Sequence, residues 1–71
     1  MPAVSSRKLI KVLKKKGFVL YRTTGSHRHF KHPSVRKLIT VPFHNRDIGR
    51  GLMKKILDDA EISIDEFIKL L

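Results

Sequence analysis

Four histidines, His27, His29, His32 and His44, are the residues of this chain best suited to chemistry near neutral pH. An imidazole can take or give a proton there, and it is also a common metal ligand. The run His27-Arg28-His29-Phe30-Lys31-His32 invites a metal reading first. Geometry weakens it. Side chains alternate along a strand, so His27 and His29 share one face and His32 points to the other. A metal site needs three or four converging ligands, with carboxylates to orient them. The chain has no cysteine, and Asp47 is the single acid of residues 1–50. Neither a metal nor a cofactor is expected. A Ser26–His27 nucleophile–base pair is no stronger, because strand neighbours face opposite ways and no acid stands by to orient the ring. Ser26 is better suited to bonding the turn backbone.

What remains is a histidine, His27, beside a turn at Gly25 and among cations. That arrangement suits cleavage of RNA through its own 2′-hydroxyl. The substrate then brings its nucleophile, and the protein need only move a proton and stabilise charge developing on the phosphate. Arg22, Arg28 and Lys31 lie close enough in sequence to serve the second need. On residue types alone a plain RNA-binding module is the stronger reading.

These side chains need a sheet to hold them. Leu9, Ile10 and Leu13 recur at helical spacing behind Ser5, a suitable N-cap, and Gly17-Phe18 has the form of a Schellman stop, so a first helix is expected over about residues 6–16. Three strand-like runs follow: Phe18–Thr24, Ser26–His32 after the Gly25 turn, and Lys37–Val41 between Pro33 and Pro42. With Phe30 facing the core, Arg28 and His32 fall on its side and His27, His29 and Lys31 on the other. Ile39 and Val41 should point inward, Leu38 and Thr40 outward. A second helix over about 49–60 carries Leu52, Met53, Ile56 and Leu57 as core residues. Ser63-Ile64-Asp65-Glu66 reads as a capping box flanked by the staple pair Ile62 and Phe67, opening a third helix over about 64–71. The order α-β-β-β-α-α predicts an α+β sandwich, with helices on one face of a three-stranded antiparallel sheet and the other face open.

Composition agrees. At 71 residues the chain holds one small domain, and 41% hydrophobic with 31% charged residues describes a folded domain, not a disordered tail. No apolar run approaches the ~20 residues of a membrane span, and no signal-peptide core is visible, so a cytoplasmic protein without a membrane partner is expected. The net charge of +10 is unevenly spread. Residues 1–50 hold 13 Lys and Arg against one acid, a net of +12, and residues 51–71 hold three Lys against five acids, a net of −2. Cation gathered on one part of a small fold points to a polyphosphate partner. Lys14, Lys15 and Lys16 read as a solvated helix end rather than a phosphate clamp.

Three segments, taken together, resemble the HicA family, the small toxins of HicAB toxin–antitoxin modules. They are Arg22-Thr23-Thr24-Gly25-Ser26-His27-Arg28-His29-Phe30, Leu38-Ile39-Thr40-Val41-Pro42-Phe43-His44 and Gly51-Leu52-Met53-Lys54-Lys55-Ile56-Leu57. The resemblance covers nearly the whole chain as one domain, residues 1–71. It implies a double-stranded-RNA-binding-domain-like fold with a short extra C-terminal helix. It also implies metal-independent mRNA cleavage by the histidine of the Gly-Ser-His motif, here His27, as general acid or base. On that reading Arg22, Ser26, Arg28, His29 and Lys31 bind RNA, and a HicB-like antitoxin is the protein partner. Operator DNA is met only through the antitoxin complex. Two departures stand out. Phe43 occupies a position where the family commonly has a basic residue, which makes its ring available to a base or to the antitoxin. Asp58-Asp59-Ala60-Glu61 is more acidic than the usual helix end. The alternative to the toxin nuclease is a non-catalytic double-stranded RNA-binding module, which such a fold equally allows.

Overall fold

The computed structural model describes residues 4–43 and 47–71. Along the chain lie β1 (Val4–Ser5), α1 (Ser6–Lys15), β2 (Val19–Thr24), β3 (His27–His32), β4 (Val35–Pro42), β5 (Asp47–Ile48), α2 (Arg50–Asp59) and α3 (Ile64–Leu70). The strands β2-β3-β4 form an antiparallel meander. The α+β fold is therefore the one expected. A second, two-residue ladder pairs β1 with β5, Val4 opposite Ile48. Strands this short have no periodicity to betray them.

Helix α1 starts on the hydroxyl of Ser5, which accepts from the Lys8 N–H. It ends where Gly17, at φ +98°, turns the chain away. The Gly17 N–H then donates to the Lys14 carbonyl and the Phe18 N–H to the Leu13 carbonyl, the two bonds of a Schellman motif. Helix α2 ends in the same way, with one difference: its left-handed residue is Glu61, at φ 60°. Glu61 N–H donates to Asp58 and Ile62 N–H to Leu57.

One core joins both layers. Leu9, Leu13, Phe30, Ile39, Val41, Met53, Leu57 and Phe67 are all at most 1% exposed. Phe30, Ile39 and Val41 face the helices, and Leu38 and Thr40 face out, as the alternation required. Leu52 departs from its expected place. It is 42% exposed, because the inward stripe of α2 is Met53, Ile56, Leu57 and Ala60, and Leu52 sits at its margin.

Two of the three lysines at the end of α1 are tied down, and Lys14 is exposed. Lys15 Nζ donates to the Leu70 carbonyl at 2.8 Å, and Lys16 pairs with Glu66, so both join α1 to α3. The Ser63 hydroxyl accepts from the Glu66 N–H, giving half of the expected capping box, while the Glu66 carboxylate turns to Lys16 instead. Ile62 and Phe67 are buried beside it as a staple pair. Among the described residues no helix is long and apolar enough to cross a membrane.

Candidate functional site

The β2–β3 turn is made by Gly25, at φ +59°, and Ser26. Glycine adopts that conformation without steric cost. The turn is held from the far strand, where the Phe43 N–H donates to the Ser26 carbonyl at 2.6 Å. Pro42, one residue earlier, accepts a 2.7 Å hydrogen bond from the hydroxyl of Ser6, a residue 1% exposed at the start of α1. His27 opens β3 between these supports. It is exposed, and stands opposite Thr24 on one side and Pro42 on the other.

Residues directly opposite across a ladder share a face. Thr24, His27 and Pro42 therefore form one row on the open side of the sheet. Arg22, His29 and Thr40 form the next. Arg22 reaches that row through a β-bulge. The pairing shifts between Leu20, opposite Phe30, and Arg22, opposite His29, so that Tyr21 is the extra residue. Without the shift Arg22 would stand opposite Arg28 and face the helices. His29 Nδ1 lies 3.0 Å from Thr40 Oγ1, which fixes the ring across the strands. Lys31 Nζ lies 4.5 Å from the centre of the Tyr21 ring, close enough for a cation–π contact.

Of the six residues singled out in the sequence, Arg22, His27, His29 and Lys31 thus come together on the open face, with Ser26 in the turn at its end. Arg28 does not join them. It pairs with Thr23 and with fully buried Val41, and so lies on the helix side. There its guanidinium carbon stands 3.7 Å from the centre of the Phe43 ring. Phe43 also packs on the core. Its ring is thus partly buried, with the Arg28 guanidinium over it. His44 lies outside the described residues.

His32 is structural. Its Nδ1 accepts from the Ser34 N–H at 2.9 Å, which leaves Nε2 carrying the proton it donates to the Lys16 carbonyl at 3.0 Å. The ring also packs on Phe18, 4.9 Å between centres. It cannot join His27 and His29 as a ligand. Among the described residues no three of His, Asp and Glu gather as metal ligands.

A groove of about 340 Å³ opens between β4 and α2, with His27 on its lining. Leu38, Thr40 and Pro42 form one wall, and Leu52, Lys55 and Asp59 line the other. Asp59 is engaged by Lys37 at 3.2 Å and by Lys55 at 3.4 Å. The Lys37 hydrogen bond, more than the Lys55 contact, holds its carboxyl below the ordinary carboxylate value. Sequence reading missed this wall. Lys55 and Asp59 are spaced i,i+4, a legible helical ion pair, but nothing in the order of residues places that pair beside His27.

A comparison with family models matches residues 6–62 to the family described as the HicA toxin of bacterial toxin-antitoxin. No curated protein matches the chain.

Proposed function

The chain belongs to the HicA toxin family, whose role as toxins implies a cognate antitoxin, and on that premise we propose that it is a metal-independent endoribonuclease that cleaves mRNA with His27. The observation that carries this reading is the placement of His27. It is exposed at the end of the open sheet face, next to the Arg22–His29–Thr40 row. RNA lies along that face with its phosphates near Arg22 and Lys31, and with His29 and the Ser26 turn in contact. We read the α-β-β-β-α order as a double-stranded-RNA-binding-domain-like frame adapted to this task.

In the reaction, the His27 imidazole takes the proton of a 2′-hydroxyl. The 2′-oxygen attacks the adjoining phosphorus, and the bond from phosphorus to the 5′-oxygen breaks. The products are a 2′,3′-cyclic phosphate and a 5′-hydroxyl, the leaving oxygen taking its proton from the imidazolium or from water. The cations of the open face offset charge on the pentacovalent phosphate. No metal is called for, because the nucleophile is activated by the imidazole. The protein acts in the cytoplasm, its antitoxin is HicB-like, and it meets operator DNA only through the antitoxin complex.

The reading is tested by incubating the protein with mRNA in EDTA and sequencing the product ends. Fragments with cyclic-phosphate 3′ ends support it. RNA bound but left intact would place the chain among non-catalytic RNA-binding modules instead.

A further inference from the structure

The groove between β4 and α2 shares His27 with the reaction just described, but its other walls take no part in that reaction. Its walls are unusual for a charged surface. Leu38 and Leu52, 53% and 42% exposed, both line it. Lys55 stands on the same lining, and Lys37 reaches the same Asp59 carboxylate from β4. The carboxylate has no charge to offer a ligand, being already shared by two ammonium groups. His27 lines the same groove.

Apolar walls, a lysine and a catalytic histidine along one channel match the parts of a single nucleotide: a flat apolar base, a phosphate, and the bond to be cut. The volume lies at the lower end of the range for small-ligand pockets, about 300–1,000 Å³, which admits one nucleotide unit and not a duplex. Resting on the nuclease reading above, we propose that this groove is a nucleotide subsite that seats the residue flanking the scissile phosphate. The base lies between Leu38 and Leu52, and its phosphate lies on Lys55. This continues the RNA path from the open face around the edge strand β4, and it gives the protein a means of preferring one base beside the cut.

The test uses the full-length protein and a short 2′-O-methyl RNA, which has no free 2′-hydroxyl and survives the titration. Affinity is measured over a range of salt for the unaltered protein and for the Lys55→Ala, Leu52→Glu and Ile68→Glu variants. Leu52 is too exposed for its exchange to unfold the chain, and Ile68, 55% exposed on α3, lies away from the groove. Loss of one phosphate contact should lower the salt slope of Lys55→Ala by about 0.7. Leu52→Glu should weaken binding about tenfold. Ile68→Glu should match the unaltered protein in both. In parallel, sequenced ends of cleaved RNA should show a base preference at one flanking position, which Leu52→Glu loses. Cleavage by the unaltered protein with unchanged slope, affinity and end preference in the groove variants would overturn the subsite and leave the nuclease reading standing. That is also the outcome if a peptide of the antitoxin is the true occupant. No cleavage, with the slope and affinity changes present, would sink the nuclease reading and keep the groove as an RNA site.

Discussion

The Ser6 hydroxyl donates a 2.7 Å hydrogen bond to the carbonyl of Pro42, the residue directly across the ladder from His27. The first residue of α1 thereby anchors the end of β4, and the next residue, Phe43, anchors the hairpin turn through Ser26. The helix layer is thus coupled to the open face at the one point where the histidine stands. Ser6→Ala leaves the Pro42 carbonyl without this donor, and should lower stability by about 1–2 kcal/mol. Urea denaturation measures it. A loss below the error of that measurement would show that the anchor contributes nothing.

His32 and Gly17 form a second support. The ring bridges the end of α1 and the β3–β4 turn, and a Cβ on Gly17 would meet its Nε2 at 3.1 Å. Gly17→Ala therefore meets two obstacles, a left-handed backbone and a crowded neighbour, and should cost about 1–3 kcal/mol. His32→Ala should lose a similar amount of stability, yet cleave RNA at an undiminished rate well below its melting temperature. A His32→Ala protein that is stable but inactive would move His32 into the catalytic site.

Glu61 holds the left-handed position that ends α2. Glutamate has no way to relieve the Cβ clash there, whereas glycine has none to relieve. Glu61→Gly should raise the melting temperature, by the equivalent of about 1 kcal/mol. An unchanged or lower melting temperature would mean that the Glu61 side chain offsets its own strain.

Asp59 supplies a pH dependence. Its carboxyl is held low by Lys37 first and by Lys55 second, against an ordinary value of 3.8. A depressed value means that the folded chain binds the proton less well than the unfolded chain. The contribution is thus fully present above the unfolded value, and is lost as pH falls through the lower folded one. Unfolding midpoints of Asp59→Asn and the unaltered protein should therefore differ at neutral pH and converge well below pH 3.8. The difference is small, because the group is solvent-screened, and salt should shrink it further. Curves that stay parallel down to the lowest pH would contradict the pairing.

How much of this was legible follows from what each feature depends on. Ser5, Gly17-Phe18 and Ser63 announce helix ends through local chemistry, and the structure has the caps where those residues stand. The alternation of His27, His29 and Phe30 likewise assigned each to its face. Arg22 was harder. Its place on the open face depends on a bulge at Tyr21, and no residue there signals an extra position in the ladder. The same alternation puts Arg28 on the Phe30 side, where it meets Phe43, so its closeness to His27 in sequence does not bring it to the open face. Leu52 was counted into the core because a helical stripe has soft margins. The groove escaped altogether, since it lies between elements that are distant along the chain.

The proposed function turns on His27, and one measurement addresses it directly. The unaltered protein and His27→Ala are compared in the cleavage of mRNA in EDTA, with circular dichroism verifying that both are folded. His27 is exposed and its side chain bonds none of the described residues, so the variant should fold normally while its rate falls by about 100-fold or more, the scale of a lost acid–base group. Equal rates for the two folded proteins, or activity in the unaltered protein that disappears with EDTA, would contradict the account.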